Sequence, residues 1–562
     1  MGTALAAGAT ATTLMGCTSG GNAESDTKTD SWDEEYDFVV VGSGTAAWGA
    51  LAAAQTGAKV VVLEKGDYLG GTTMLSGMGV WVPCNRPMAD VGVEDDPSEA
   101  LTYLKAIDHY QGSGDEIKQD YIDHASALFQ WIESTFGLTN QVANYGDYHN
   151  ATGQILFGRS LGWSISEGDA EGGMFASVNG STMYTDFVGP KLADLGVEVK
   201  LGHEAIELVV EEGRVVGVIA KNGSKTMRFK GNKGVLLGAG GFEHNRAMRE
   251  AFLRGPIFGA NSVPTNTGDG HRMGMAVGAA LGNMGSCWAV PCYATEPEGE
   301  LSGNTDWNEY ACLPSTIIVN SQGKRFLDES TLYALCNDPY NTTSNATSSI
   351  AWSNLPAYLI FDQDHVDHYG FPVEGDMYAA GAFGEEAPSF VSKFDTLEEL
   401  AKAIEIDAEG LMAEVERFNG FCASGSDEDF HRGEWLGERM TIYAYSNPDL
   451  YSMDIEQKIE YLEKSDGGRP DLACPYLGPI AKAPFYVAPV GPGTVGTTGG
   501  LVVNSDAQVI NVNDEVIEGL YACGNNASCI FGSAYPGAGG TVAPGIYQAV
   551  RAANHAFEIG VL

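Results

Sequence analysis

Unbroken apolar runs, bounded by glycine or polar residues, mark the predicted strands of this chain. Residues 36–41 and 59–63 are two such runs, and an alanine-rich stretch ending near Gln55 lies between them. Apolar runs without alternation are typical of strands buried on both faces, as in a parallel sheet covered by helices. The order strand, helix, strand therefore predicts a βαβ unit near the N-terminus.

A glycine-rich turn, G-S-G-T-A-A, joins the first run to the helical stretch. Gly42 permits a sharp turn, and Gly44 permits close approach of the backbone to a pyrophosphate at the helix N-terminus. Glu64 follows the second run, 20 residues after Gly44, where a carboxylate accepts hydrogen bonds from ribose hydroxyls. Together these features form a dinucleotide-binding fingerprint, and the carboxylate disfavours a 2′-phosphate.

A second loop rich in Gly, Thr and Ser follows at residues 65–77. Its backbone N–H groups suit the remaining phosphate and ribityl parts of FAD better than a nicotinamide. The combination V-V-G-S-G-x-A-A, L-E-K and G-G-x-T-x-x-S-G resembles the FAD-dependent fumarate reductase/3-ketosteroid dehydrogenase family. The resemblance runs from about residue 37 to 556. It implies an α/β fold, a Rossmann-like FAD-binding domain of the glutathione-reductase type that carries an inserted α+β catalytic domain.

The resemblance also implies which residues contact FAD. They lie in the glycine-rich loops along the chain and at the start of the helix that follows the last loop. The predicted contacts are Gly42, Gly44, Thr45, Ala46, Glu64, Lys65, Gly70, Gly71, Thr72, Thr73, Ser76, Gly77, Ala205, Ala239, Gly240, Asp269, Gly524, Asn525, Gly540, Thr541 and Val542.

Further elements of the FAD-binding part can be predicted along the chain. Residues 209–220 are typical of a β-hairpin, residues 234–242 of a buried strand that ends in a glycine turn, and residues 519–525 of a last strand. A helix is expected over 271–280 with Asp269 as its N-cap.

An insertion separates the two halves of the FAD-binding part. It contains two predicted strands, 316–320 and 358–362, and an amphipathic helix over 396–419 with a capping box formed by Thr396 and Glu399. The predicted organisation is a leader and tether over 1–35, the FAD domain over 36–285 and 479–562, and the inserted substrate domain over 286–478. The seam between the two domains is the expected substrate cleft.

The sequence Y-P-G-A-G at residues 535–539 indicates the chemistry. Family members that reduce fumarate have an arginine where this chain has the neutral Tyr535, because a dicarboxylate needs a cation. Here the motif resembles ketosteroid dehydrogenases, which implies that the Tyr535 hydroxyl and the Gly539 amide bind a ketone oxygen. Hydride transfer at the carbon beta to a carbonyl builds enolate charge on that oxygen, which such donors stabilise.

A group that moves the alpha proton is also needed. The stretch from Arg325 resembles the family's R-F-x-N-E-x-x-x-Y, although this chain has Asp328 in place of the Asn, and it implies Tyr333 as the catalytic tyrosine. A phenol is a weak base and needs a second polar group. Tyr148 is the expected partner, Tyr145 is the weaker match, and Asp147 and His149 are alternatives that could carry the proton. Arg325 itself is expected to be structural.

These residues predict an FAD-dependent oxidoreductase acting on the CH–CH bond of a neutral, steroid-like ketone or enone. One alternative is a fumarate-reductase-like enzyme that reduces an unsaturated carboxylic acid. Another is a lipoprotein that binds a ligand without chemistry, although such a protein does not need the dinucleotide fingerprint. Either enzyme requires a separate electron donor or acceptor protein.

Composition limits the partners. Glycine makes up 73 of the 562 residues, against roughly 7% in average usage, and the formal net charge is −43. A nucleic-acid partner is therefore excluded, since so negative a surface repels phosphates. Four cysteines lie near one another in sequence, but their spacing favours ordinary thiols over an iron–sulfur cluster: Cys287, Cys292, Cys312 and Cys336.

The N-terminal residues resemble the end of a bacterial signal peptide. Residues 2–16 are small, uncharged and mildly apolar, they end in L-M-G before Cys17, and a polar stretch follows to residue 35. A lipoprotein-type cleavage site ahead of Cys17 fits this pattern, although no basic region precedes it. We expect a bacterial envelope or exported protein with a lipid anchor at Cys17. A flexible tail on a cytoplasmic protein is the alternative.

Overall fold

The computed structural model describes residues 31–165, 178–296, 299–302, 308–331, 333, 337–344, 351–373, 383–440, 443 and 447–561. The predicted βαβ unit is confirmed. Strand Glu34–Val41 pairs in parallel with Val60–Leu63, and helix Ala46–Ala54 connects them. This helix is buried along its whole length, which explains its small, apolar sequence.

The main sheet has eight strands, and Glu34–Val41 lies near its middle. Lys225–Leu237 pairs in parallel with that strand on one side and with Val516–Ala522 on the other. The predicted hairpin is confirmed as Glu204–Glu211 and Arg214–Asn222, joined to Lys225–Leu237. The strands are Glu34–Val41, Val60–Leu63, Glu198–Lys200, Glu204–Glu211, Arg214–Asn222, Lys225–Leu237, Gln508–Ile510 and Val516–Ala522.

A second sheet of six strands forms around the long strand Phe485–Thr497. Four strands pair with it directly, one in parallel and three antiparallel, so this strand organises the sheet. The two strands predicted in the insertion belong here. The members are Gly259–Ala260, Cys287–Tyr293, Thr316–Asn320, Ala357–Asp362, Ser392–Phe394 and Phe485–Thr497.

Smaller sheets and the helices complete the fold. The remaining strands are Val80–Trp81, Thr139–Val142, Ser160–Ser164, Leu281–Gly282, Gly500–Leu501, Thr343–Ser344 and Ala351–Trp352. The α-helices are Ala46–Ala54, Arg86–Asp90, Pro97–Ile107, Asp115–Phe136, Gly180–Thr182, Gly189–Asp194, Arg246–Phe252, Asp269–Ala276, Asn308–Ala311, Gln363–Tyr369, Leu397–Ala403, Ala408–Ser424, Ile455–Lys464 and Val542–Phe557, and Met183–Val188 is a π-helix. Short 3₁₀ turns are Gly71–Leu75, Asp338–Asn341, Pro448–Ser452 and Gly524–Asn526.

Two helix predictions were wrong in detail. The helix expected over 396–419 is two helices, because Glu405 has a positive φ of 59° and breaks the first one. Thr396 does cap it, accepting a hydrogen bond from Glu399 N–H. The helix expected over 271–280 is Asp269–Ala276, and its N-cap is Gly268 with a φ of 76°. Asp269 is therefore the first helical residue rather than the cap.

The helix Val542–Phe557 packs against Ala46–Ala54 over the main sheet, so these two distant segments share one core. A separate core fills the space under the second sheet and its helices. No described helix combines the length and the apolar character needed to cross a membrane. Cys17 and Cys336 lie outside the described residues, and the described ones include no group of three or more side chains that could hold a metal ion.

Candidate active site

A cavity of about 1240 Å³ extends from the glycine turns of the main sheet to the second sheet. It exceeds the roughly 300–1,000 Å³ of a pocket for one ligand, so it has room for a cofactor and a substrate. Most of the predicted FAD contacts line it. They are Gly42, Gly44, Thr45, Glu64, Lys65, Gly71, Thr72, Thr73, Ser76, Gly77, Ala205, Ala239, Gly240, Asp269, Gly524, Asn525, Thr541 and Val542.

The turn at Gly42–Gly44 fits a pyrophosphate. Gly42 has a φ of 91°, and a Cβ atom there would overlap the carbonyl oxygen of Gly238 on the neighbouring strand's end. Thr45 caps the following helix without any side-chain hydrogen bond. The first N–H groups of that helix therefore lack a side-chain acceptor, which leaves the positive end of its dipole for an anion.

Glu64 lies on the cavity wall at the end of its strand and is 7% exposed. Its Oε2 accepts hydrogen bonds from Ser43 N–H at 3.0 Å and Ser43 Oγ at 2.6 Å, and Oε1 accepts one from Gly66 N–H at 2.6 Å. The carboxylate thus joins the first glycine turn to the second loop. Since each oxygen can accept two hydrogen bonds, Oε1 keeps capacity for a ribose hydroxyl.

Lys65 and Asp269 form a bridge across the cavity wall. Lys65 Nζ is 2.9 Å from Asp269 Oδ2 and 2.9 Å from Thr267 Oγ1. Asp269 therefore links the start of its helix to the loop after Glu64. This link occupies part of the hydrogen-bonding capacity of Asp269. The predicted contact of Asp269 with FAD stays a prediction.

Three predicted contacts lie behind the cavity wall instead of on it. Ala46 is fully buried in the helix, Gly70 N–H donates to Ser43 Oγ at 2.8 Å, and Gly540 N–H donates to the Gly537 carbonyl at 2.9 Å. Their predicted contacts with FAD stay predictions. Their backbone groups stabilise the loops that line the cavity.

Three tyrosines meet at the other end of the cavity, and we call Tyr148, Tyr333 and Tyr535 the tyrosine cluster. The Tyr333 hydroxyl donates to the Tyr535 hydroxyl at 2.9 Å and lies 3.1 Å from that of Tyr148. The three ring centroids are 5.2–5.4 Å apart. Sequence predicted each residue separately, and the fold brings them together from three distant parts of the chain.

Burial controls the acidity of this cluster. It raises the pKa of the Tyr333 hydroxyl well above its usual range, and the neighbouring Tyr148 and Tyr535 raise it further. Burial also raises the pKa of Tyr535, against the effect of the hydrogen bond with Tyr333. Both shifts favour neutral hydroxyls on Tyr333 and Tyr535, which can donate hydrogen bonds at neutral pH.

The loop that carries Tyr535 is held by its backbone. Tyr103 donates its hydroxyl proton to the Pro536 carbonyl at 2.6 Å, and Tyr148 N–H donates to the same oxygen at 3.0 Å. Gly539 lines the cavity with a φ of 88°, where a Cβ atom would overlap the backbone of Val80. A glycine is required there, and it lines the same cavity as Tyr535.

Asp147 and His149 do not line the cavity, which argues against the alternative that they carry the proton. Asp147 accepts hydrogen bonds from Trp81 Nε1 at 2.8 Å and Arg159 at 2.7 Å. His149 Nε2 lies 3.0 Å from the Tyr535 carbonyl, behind the loop. Burial lowers the pKa of His149 to about 4, so the neutral ring donates its Nε2–H to this oxygen and positions Tyr535.

Sequence reasoning missed the wall contributed by the second sheet. Trp288 and Val290 line the cavity from strand Cys287–Tyr293, and the Trp288 ring centroid is 6.3 Å from that of Tyr535. Ala260 and Ser302 line it beside them. Trp288 and Val290 are two residues apart, so they share one face of a strand. This alternation is visible in the sequence and could have suggested a common face. Only the pairing of strands shows that this face meets the cavity.

Comparisons with known proteins agree with this geometry. The family model for the FAD-binding domain matches residues 37–542. That match covers most of the chain and both groups of glycine turns. The chain belongs to this FAD-binding family. It is a flavoenzyme of the type shared by ketosteroid dehydrogenases and fumarate reductases, and its cofactor is FAD.

Relatives of the flavoenzyme match it over nearly its whole length. It is 33% identical to the 3-oxosteroid 1-dehydrogenase of Mycolicibacterium smegmatis, over 91% of this chain and 95% of that protein. It is 30% identical to the 4-oxocyclohexanecarboxylate 2-dehydrogenase of Sinomonas cyclohexanicum, over 91% of this chain and 90% of that protein. These matches confirm an FAD-dependent oxidoreductase that acts on CH–CH bonds and set aside the non-catalytic lipoprotein.

A solved structure shows the same fold. The 3-ketosteroid Δ1-dehydrogenase of Sterolibacterium denitrificans, in complex with 1,4-androstadiene-3,17-dione, is 30% identical with a TM-score of 0.76. The alignment covers 93% of this flavoenzyme and 99% of that chain. The similarity confirms the predicted fold class, a Rossmann-like FAD domain with a second, capping domain.

Proposed function

We propose that this flavoenzyme oxidises the Cα–Cβ bond of a neutral, steroid-sized cyclic ketone, a reaction that the same residues can also run in reverse. The tyrosine cluster beside the FAD-lined cavity carries the proposal. The relatives named above act on cyclic ketones, which supports this substrate class. Bound FAD supplies the acceptor for the hydride that leaves the β carbon.

Tyr535 and Gly539 bind the ketone oxygen. Both line the cavity, and both offer a neutral hydrogen-bond donor. As the α proton leaves, negative charge develops on the ketone oxygen, and preorganised donors stabilise that charge more than they stabilise the ground state. The raised pKa of Tyr535 keeps its hydroxyl protonated and able to donate.

Tyr333 moves the α proton. Its hydroxyl lies between those of Tyr148 and Tyr535, at 3.1 Å and 2.9 Å. Tyr333 accepts the α proton on its phenolate oxygen, its own hydroxyl proton having been released to solvent before the substrate binds. Burial makes a lone phenolate costly, and the Tyr148 hydroxyl at 3.1 Å donates a hydrogen bond that stabilises it. Tyr148 is fully buried, which keeps the pair out of competition with water.

The alternative, reduction of an unsaturated carboxylic acid, finds less support. A carboxylate substrate needs a cation beside the reacting carbon, whereas the described groups of the tyrosine cluster are neutral. Among the described residues, the basic side chains that line the cavity lie on other segments: Lys65, His203, His244, Arg246 and Arg249.

The test combines substrates with a variant. We expect the FAD-loaded enzyme to reduce a dye acceptor with saturated 3-oxosteroids and to oxidise reduced viologen with the corresponding enones. Tyr333→Phe should lower kcat about 10²–10⁴-fold, the usual contribution of general acid–base catalysis. Turnover of fumarate or an aryl acrylate at rates above those with the ketones would overturn the proposal and favour the alternative.

We further propose an exported, lipid-anchored location with a separate electron-carrier protein. The sequence ahead of Cys17 supports the anchor, and the sequence has no C-x-x-C-H motif for covalently attached haem. In a bacterial host expressing the full chain from an upstream signal region, wild-type protein should fractionate with membranes. Cys17→Ser should release it to the aqueous fraction, and equal fractionation of both proteins would contradict the anchor.

A further inference from the structure

The turn that leads to Tyr333 is held by two buried side-chain systems. The first surrounds Glu329, whose carboxylate pairs with Arg325 at 2.6 Å and Arg432 at 3.2 Å. Arg325 also pairs with Asp427 at 2.9 Å. This network contains two guanidinium groups and two carboxylates, so its charge is balanced.

In the second system the only ionisable groups are two carboxyl groups, those of Asp328 and Glu438, and Ser330 lies between them. Ser330 Oγ lies 2.8 Å from Asp328 Oδ1 and 3.2 Å from Glu438 Oε2. Ser330 N–H donates to the same Asp328 oxygen at 2.8 Å, and Gly433 N–H donates to Glu438 Oε2 at 3.0 Å. Glu438 is 8% exposed and Ser330 is 3% exposed, whereas Asp328 is half-buried, so water is largely excluded from the Glu438 side of the pair.

The Ser330 hydroxyl has too few protons to donate hydrogen bonds to two ionised carboxylates at once. Ser330 has one hydroxyl proton, and an ionised carboxylate only accepts. Ser330 can therefore donate to Asp328 or to Glu438, and the other contact brings two acceptors together unless that carboxyl carries a proton. A proton on one of the two groups satisfies every contact.

Charge balance leads to the same conclusion. Within the described residues, no Lys, Arg or His nitrogen lies within 4.0 Å of Asp328 or Glu438, whereas the adjacent network pairs Glu329 within that distance. Two negative charges without a cationic partner raise the free energy of a site from which water is largely excluded. The state of lowest free energy for the pair therefore holds one proton.

We propose that Asp328 and Glu438 share one proton, and that this proton positions the turn that carries the catalytic Tyr333. Both act as positioning residues. When the proton is lost, the two carboxylates repel each other on either side of Ser330, three residues before Tyr333. The hydroxyl contacts within the tyrosine cluster then loosen, and turnover falls.

The groups that face the pair set the pH at which this happens. Burial and the facing Asp328 together raise the pKa of Glu438 to about 8, against the hydrogen bonds from Gly433 and Ser330. Burial also raises the pKa of Asp328, against its hydrogen bonds from Ser330 and the attraction of Arg432. Glu329, the other ionised group near Asp328, adds repulsion.

Arg439 follows Glu438 in the chain but points elsewhere. It donates to the carbonyl oxygens of Gly433 and Leu462, each at 3.1 Å. Among the described contacts, Arg439 therefore does not neutralise Glu438. The pair titrates as a unit, so we expect its proton to be lost near the raised pKa of Glu438, about 8.

The experiment measures kcat and KM against pH for the FAD-loaded full chain. We expect wild-type kcat to fall about tenfold between pH 7 and pH 9, as for one required protonated group, with little change in KM. Glu438→Gln and Asp328→Asn should each flatten this fall, since each removes the repulsion and keeps a hydrogen-bonding amide. Glu463→Gln, at an exposed glutamate of the same domain, should keep the wild-type profile.

Two further measurements do not depend on turnover, so they separate this inference from the proposed function on which its kinetic part rests. The infrared spectrum at pH 7 should contain a protonated-carboxyl band that Glu438→Gln removes. The thermal midpoint of the wild type should also fall relative to that of Glu438→Gln as pH rises from about 4 towards 8, and then level off. The unfolded carboxyl releases its proton near pH 4, whereas the folded one keeps it until about pH 8. The proposal would be overturned if the protonated-carboxyl band persisted in Glu438→Gln. It would also be overturned if kcat fell between pH 7 and pH 9 in both Glu438→Gln and Asp328→Asn as it does in the wild type.

Discussion

Replacing Tyr535 by Phe should lower kcat by about 10²–10³-fold, the usual cost of removing one oxyanion donor, while FAD stays bound. The variant loses the hydroxyl proposed to bind the ketone oxygen and the acceptor of the Tyr333 hydrogen bond at 2.9 Å. The ring, which packs against Tyr148, Tyr333 and Trp288, remains. Steady-state kinetics with a 3-oxosteroid and a dye acceptor measure the loss.

A matched control distinguishes this effect from the general cost of losing a phenolic hydroxyl. Tyr358 lies in strand Ala357–Asp362, away from the cavity, and its hydroxyl lies 3.4 Å from the Ile404 carbonyl. Tyr358→Phe should therefore leave kcat within about twofold, as expected for a substitution far from the reacting atoms. If both variants turn over at the wild-type rate, Tyr535 does not stabilise the transition state.

Replacing Gly42 by Ala should abolish FAD binding. The residue has a φ of 91°, and its new Cβ would overlap the Gly238 carbonyl oxygen. Both the turn and the end of strand Lys225–Leu237 would have to move, and these carry Gly44 on one side and Ala239 and Gly240 on the other. The ratio of flavin to protein absorbance in the purified variant measures the effect.

Gly57→Ala is the control for backbone strain. Gly57 has a similar φ of 85°, but a Cβ atom there meets nothing within 4 Å. The Gly57→Ala substitution should lower the free energy of unfolding by about 1–2 kcal/mol, the cost of the left-handed conformation alone. The variant protein should keep its flavin. Equal flavin content in the Gly42 and Gly57 variants would show that the contact with Gly238 is unimportant for the cofactor.

The local chemistry of the FAD-binding part could be predicted from sequence because it depends on short segments. The turn at Gly42 and Gly44, the buried strands beside it and Glu64 lie within one βαβ unit, and each requires a particular residue type at a fixed spacing. The family resemblance then located Tyr333 and Tyr535 individually. None of these steps needed a long-range contact.

Other features depend on how distant segments pack. Asp147 and His149 are adjacent to Tyr148 in sequence, yet they serve Arg159 and the Tyr535 carbonyl because the chain turns away from the cavity there. The break at Glu405 needs a positive φ that residue type alone does not indicate. The wall formed by Trp288 and Val290 depends on sheet register, which no local pattern encodes.

The long strand Phe485–Thr497 has a consequence for how the protein is made. It pairs directly with four other strands of the second sheet, all encoded earlier in the gene. On the ribosome, those earlier strands emerge with open edges that no later partner yet covers. Val516–Ala522 then adds to the main sheet, and the helix Val542–Phe557 covers it. The nascent protein therefore closes neither sheet before residues 485–522 have emerged, and it acquires a working centre only after that.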